Sequence, residues 1–155
     1  MTLSFILDEN VIILAAKREN DRGEYDLTCF QLLVRILDIC YPLVMDDGLR
    51  GKWLRQLSNL LDAQPGLSPV VIDMLKQAMR RLDKVPLYPD SPPFHEETHI
   101  PQGSRDDVPI ARLAVATSAV LVTTDAPLIS DLAVAGVVDR YRLRVVTPEE
   151  ALALL

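Results

Sequence analysis

Four short, predominantly apolar runs punctuate the chain: Leu3–Leu7, Pro42–Met45, Ala119–Thr123 and Leu143–Val146. Each is the length of a strand, and between them lie stretches of helical periodicity. A strand that faces solvent on one side alternates polar with apolar residues; a strand covered on both faces does not need to. Near-continuous apolar strands separated by helices therefore predict an α/β chain. Its central sheet should be mostly parallel, with helices on either face in a three-layer α/β/α arrangement.

The helical stretches have identifiable faces and ends. Apolar positions at helical spacing predict helices over Val11–Glu19, Tyr25–Ile39 and Leu49–Leu61. Trp53, Leu57, Leu60 and Leu61 form the apolar face of the third, where Trp53 reads as a core anchor. Gln64-Pro65-Gly66 should end it. Ser68-Pro69 opens a fourth helix, running to about Asp83, because serine caps free amides and proline suits the first turn. Val85–Tyr88 is a candidate further strand. Pro89–Arg105, with Pro92, Pro93 and Pro101, is the least regular segment. Helices are expected again from Asp107 to Thr117 and from Ile129 to Ala135. Thr147-Pro148-Glu149-Glu150 is a capping box that starts a terminal helix over Ala151–Leu155.

At 155 residues the chain is expected to be one domain, spanning 1–155. That length can bury roughly 70% of the unfolded surface. Hydrophobic residues make up 49% and charged residues 25%, a balance that excludes a disordered chain. The opening segment has no basic region or cleavage pattern, and Asp8 cuts its apolar run short, so neither a signal peptide nor a membrane span is expected. Cys29 and Cys40 fall on one predicted helix, roughly three turns apart, too far to bond. Both read as reduced core residues in a cytoplasmic protein. The net charge of −6 opposes non-specific attraction to nucleic acid. It leaves room for a metal-dependent nucleic-acid enzyme, whose carboxylates are offset locally by bound cations.

Ligands of parallel α/β sheets bind beyond the C-terminal ends of the strands. Asp8 follows the first strand. Asp125 follows Ala119–Thr123 by way of Thr124, and Asp107 begins the helix that leads into that strand. Clustered carboxylates raise one another's pKa unless a cation lies between them, and hard oxygen ligands suit Mg²⁺ or Mn²⁺. For each aspartate the competing reading is a helix N-cap.

Four segments also resemble one family. Phe5-Ile6-Leu7-Asp8-Glu9-Asn10-Val11 is similar to the opening strand and Asp-x-Asn signature of PIN-domain ribonucleases. Asp106-Asp107-Val108-Pro109-Ile110-Ala111-Arg112-Leu113-Ala114 resembles the acidic helix start of that family, and Leu121-Val122-Thr123-Thr124-Asp125 its Val-Thr-x-Asp strand end. Val145–Leu152 resembles its closing strand and helix. The resemblance implies a PIN-like fold and Mg²⁺- or Mn²⁺-dependent hydrolysis of single-stranded RNA. Asp8, Asp107 and Asp125 would be the catalytic, metal-holding carboxylates. Asp106 is a further carboxylate beside Asp107, which helix phase favours, and Asn10 and Thr123 are supporting polar residues. Because PIN proteins include toxins of toxin–antitoxin pairs, the resemblance also implies an antitoxin protein as partner and a homodimer as the family-level assembly.

The chain departs from the family at two points, the first being that Pro127 and Leu128 supply no further acid after Asp125. At the second, Trp53 matches an aromatic residue that usually follows a glutamate, and Lys52 stands in the place of that glutamate. A protonated lysine cannot ligate metal. Asp46 and Asp47 could substitute for the missing acid or only cap a helix. Lys52 keeps a second reading open, a PIN-like scaffold that binds RNA or protein without cutting.

His95-Glu96-Glu97-Thr98-His99 matches the zinc-protease pattern His-Glu-x-x-His. That chemistry needs both histidines on one face of a helix. Flanking prolines leave little room for one, so the segment reads as a loop. Arg50, Lys52 and Arg55, and Arg80, Arg81 and Lys84, read first as solvated helix faces. Arg140, Arg142 and Arg144 read as the solvent side or protected edge of the last strand.

Overall fold

A computed structural model describes residues 3–63 and 66–155. Gln64 and Pro65, expected to end the third helix, lie outside the described residues. The elements in chain order are β1 (Phe5–Leu7), α1 (Glu9–Lys17), α2 (Thr28–Ile39), β2 (Met45–Asp46), α3 (Asp47–Asp62), α4 (Pro69–Leu82) and β3 (Leu87–Tyr88). Two 3₁₀ turns follow, His95–His99 and Gln102–Asp107. The remainder is α5 (Val108–Thr117), β4 (Val120–Val122), α6 (Ala126–Val134), α7 (Val137–Tyr141), β5 (Val145–Val146) and α8 (Pro148–Ala153).

The fold is α/β with a small, mostly parallel sheet. β4 lies between β1 and β5, parallel to both, with Ile6 opposite Leu121 and Leu121 opposite Val145. β2 and β3 form a second parallel pair. A parallel bridge between Phe5 and Leu43 links the two: Phe5 N–H donates to Pro42 O over 2.9 Å, and Val44 N–H donates to Phe5 O over 2.8 Å. The spatial order is thus β3-β2-β1-β4-β5. Every residue of β1 and β4 is buried, as their unbroken apolar sequence requires. At the outer edge, Leu87 and Tyr88 of β3 are exposed, and Pro86 and Pro89 flank them. Proline cannot donate to a further strand, so this edge is blunted.

α1 packs against α2 and α3, α2 against α4 and α8, and α3 against α4. α6 packs against α7 and, with α5, against the 3₁₀ turn Gln102–Asp107. The apolar faces converge on one core that includes Trp53, Phe5, Ile12, Leu33, Ile36, Leu57, Leu75 and Leu121. Among the described residues, no helix is long and apolar enough to cross a membrane.

Several boundaries differ from expectation for local chemical reasons. α2 starts at Thr28, not Tyr25, because the Asp26 carboxylate accepts from both Thr28 N–H (2.8 Å) and the Thr28 hydroxyl (2.6 Å). That side-chain turn holds the preceding residues out of the helix. The strand expected at Pro42–Met45 moves to Met45–Asp46, with Pro42 contributing only its carbonyl. The helix expected from Ile129 begins at Ala126, because Asp125 caps it there and Pro127 suits its first turn. α7 has no counterpart in the sequence pattern; it is a short helix set between Gly136 (φ 83°) and Arg142 (φ 52°). α8 starts at Pro148, directly after its Thr147 cap, and not at Ala151.

Both cysteines are free, but only Cys29 is in the core. Cys40, expected there too, is exposed at the left-handed end of α2. Arg142 and Arg144 are exposed beside β5, whereas Arg140 pairs with Glu96 at 3.5 Å.

Candidate metal centre

Asp8 leaves the end of β1, where its N–H still donates to Val122 O of β4 over 3.0 Å. It occupies the N-cap position of α1, yet its side chain makes no capping bond. Its Oδ2 instead accepts from the Thr123 hydroxyl over 2.9 Å, and both residues are buried. The same Thr123 oxygen accepts from Asp125 N–H over 3.1 Å. One hydroxyl therefore joins the ends of two neighbouring strands. Burial raises the Asp8 carboxyl above its ordinary range; the Thr123 bond opposes that rise, and the Glu9 charge adds to it.

Asp107 comes from the other side, at the N-cap of α5, also with no side-chain capping bond. Its carboxyl is pushed up to about 6, first by burial, then by the charges of Asp8 and Asp125; Lys52 pulls the other way, and Asp106 adds to the rise. Asp125 differs. Its Oδ1 caps α6 by accepting from Leu128 N–H over 3.0 Å. The capping reading thus holds for Asp125 and fails for Asp107; Asp8 makes no capping hydrogen bond either, although the backbone amides of Glu9 and Asn10 favour its charged form. Asp46 likewise caps α3, accepting from Leu49 N–H over 2.8 Å. Asn10 and Asp106 are exposed beside Asp8 and Asp107 in the chain.

These donors are hard oxygens, the chemistry of a Mg²⁺ or Mn²⁺ site. The rise at Asp107 comes first from burial and only then from neighbouring negative charge. Among the described residues, however, no three His, Cys, Asp or Glu side chains converge closely enough to enclose a metal ion. The donor set fits a divalent cation in kind, and the Asp125 carboxylate is committed in part to its cap.

Trp53 and Lys52 are adjacent on α3 and have different tasks. The buried Trp53 indole donates to Leu7 O over 3.1 Å, fixing the residue before Asp8. Lys52 acts on Asp107 and lines a cavity of about 290 Å³ between the start of α3 and one side of α5.

The segment before Asp107 holds contacts that the sequence did not mark. Buried Ser104 donates to Asp131 Oδ2 over 2.6 Å. Glu97 takes a two-pronged hydrogen bond from Arg112, Nε at 2.9 Å with Nη2 beside it. Glu96 accepts from the Tyr141 hydroxyl over 2.7 Å. Both glutamates are consequently held below the usual carboxylate range, Glu96 first by Tyr141 and Glu97 first by Arg112. A 3₁₀ turn forms over His95–His99, where a loop was expected. Its glutamates face inward as structural partners while both histidines are exposed, which leaves no zinc-protease constellation. No local sequence signal marks these bonds, since each partner lies far along the chain.

The chain matches no protein-family model, and it has no significant match among curated proteins or solved structures.

Proposed function

We propose that the chain is a PIN-like, three-layer, divalent-cation-dependent endoribonuclease that hydrolyses phosphodiester bonds in single-stranded RNA in the cytoplasm. The observation that carries this reading is the Thr123 hydroxyl, which binds the Asp8 carboxylate and the Asp125 backbone at the ends of two neighbouring strands, with Asp107 near enough to feel the charge of both acids. Asp8, Asp107 and Asp125 would hold Mg²⁺ or Mn²⁺, with Asp106 as a further oxygen donor. When bound, the cation supplies Lewis acidity toward the phosphodiester. Thr123 orients Asp8, and the Lys52 ammonium offers charge to a phosphate oxygen. An antitoxin protein or a second copy of the chain would be partners of this same reading.

Calorimetric titration with Mn²⁺ on wild type and Asp8→Asn tests the site, followed by incubation of wild type with single-stranded RNA and Mn²⁺. Binding lost in the variant, with metal-dependent cleavage by wild type, is the expected result. Wild type that binds RNA without cutting it would overturn the nuclease reading. It would favour the second one, a scaffold with little or no activity, which rests on Lys52 occupying the place of an acid.

A further inference from the structure

The cavity that Lys52 lines has two kinds of wall, and Asp8, Asp107 and Asp125 lie outside its lining. Exposed Pro109 of α5, with the nearly buried Leu49 of α3 and Ile110 of α5, forms its apolar side, and Leu113 lies fully buried behind them. Asp46, Asp90 and Lys52 supply polar groups at its lining. Its volume, about 290 Å³, lies at the small end of ligand clefts, which run from about 300 to 1,000 Å³. Arg112 also lines it, but the Arg112 guanidinium is engaged by Glu97. Lys52 is in no ion pair among the described residues. It is therefore the lining cation that can meet an anionic ligand, and its charge reaches Asp107 as well.

We infer that this cavity is a nucleoside subsite for the RNA strand, with the base against Pro109, Leu49 and Ile110 and the attached phosphate on Lys52. The inference rests on the ribonuclease reading and deepens it. An apolar wall suits the face of a base, because every base has one. The Asp90 carboxylate, and the Asp46 oxygen that the α3 cap leaves open, accept from N–H groups on a base edge, as acidic side chains do when they read bases. A single ammonium then directs the phosphate toward Asp107. A cleft of this size takes one nucleoside and not a stacked pair.

Gly48 gives a way to close the cavity without disturbing the fold. It is exposed in the first turn of α3 and lines the cleft, and a Cβ there would meet only Asp46 Oδ1, at 3.6 Å. Gly48→Leu therefore suits the helix and fills the space.

The experiment is a ¹⁵N–¹H NMR titration of the whole chain with guanosine 5′-monophosphate, then guanosine, in Mg²⁺. Saturable shifts at Leu49, Ile110 and Leu113 are expected in wild type, with affinity at least about tenfold weaker in Gly48→Leu. Lys52→Ala should weaken the nucleotide about tenfold and leave guanosine unchanged. A single-stranded RNA pentamer should displace the nucleotide. Absent shifts, shifts at other residues, equal binding by Gly48→Leu, or failure of the pentamer to compete would each overturn the inference. The Mn²⁺ titration of Gly48→Leu separates the two readings: intact Mn²⁺ binding with lost nucleotide binding isolates the cavity, whereas absent Mn²⁺ binding in wild type counts against the ribonuclease reading alone.

Discussion

The Thr123 hydroxyl donates to Asp8 Oδ2 over 2.9 Å although 115 residues separate the two in sequence. Both are buried, so the bond replaces water for a carboxylate that has little access to it. Thr123→Val keeps the shape and removes the donor. The expected cost is about 1–3 kcal/mol, the range for stranding a buried polar group. Urea denaturation measures it, and Mn²⁺ affinity should fall in the same variant.

Asp107 titrates at about 6 in the folded chain against an ordinary 3.8. The folded state therefore binds this proton more tightly than the unfolded state. Between those two values stability falls as pH rises, and above about 6 the loss is complete. Asp107→Asn removes the charge and should stabilise the metal-free protein by about 1–2 kcal/mol at pH 8, solvent screening of this half-buried group included. The gain should shrink toward zero near pH 4. Thermal unfolding across that range checks both the sign and the window.

Lys52 lowers the cost of ionising Asp107. Lys52→Glu reverses that charge and places an acid at the position where the resemblance expects one. Mn²⁺ should bind at least about tenfold more tightly, by about 1.4 kcal/mol. The metal-free variant should be less stable at neutral pH, since another carboxylate joins a repulsive cluster. Calorimetry and thermal unfolding, with and without Mn²⁺, read the two effects separately.

Arg112 fastens the His95–His99 turn to α5 through Glu97. Arg112→Met retains much of the side-chain length and leaves Glu97 without its partner. About 1–2 kcal/mol should be lost, as for hydrogen bonds to a charged group. The loss should appear as faster hydrogen exchange around residues 95–107. Because the partner holds Glu97 below the ordinary carboxylate range, this contribution is present at neutral pH and fades as pH falls through the Glu97 pKa.

Much of the architecture was legible because it depends on neighbours in sequence. Unbroken apolar runs marked β1 and β4, and Ser68 and Thr147 marked the helix starts that their hydroxyls cap. The positions of Asp8, Asp107 and Asp125 after strands or before helices followed from the same local pattern. Elements set by distant partners were not legible. The turn over Gln102–Asp107 depends on Ser104 meeting Asp131, and the one over His95–His99 on Arg112 and Tyr141.

The sequence alone determined an alternating α/β chain and the placement of acids at element ends, because hydrophobic periodicity and capping act over a few residues. Tertiary structure decided which acids are free of capping. Asp125 commits one carboxylate oxygen to α6, while Asp8 turns to Thr123 and Asp107 makes no cap. It also decided that the Lys52 charge acts on Asp107. Those outcomes depend on which strands lie side by side and on how deeply a carboxylate is buried, and both arise only when distant segments pack together.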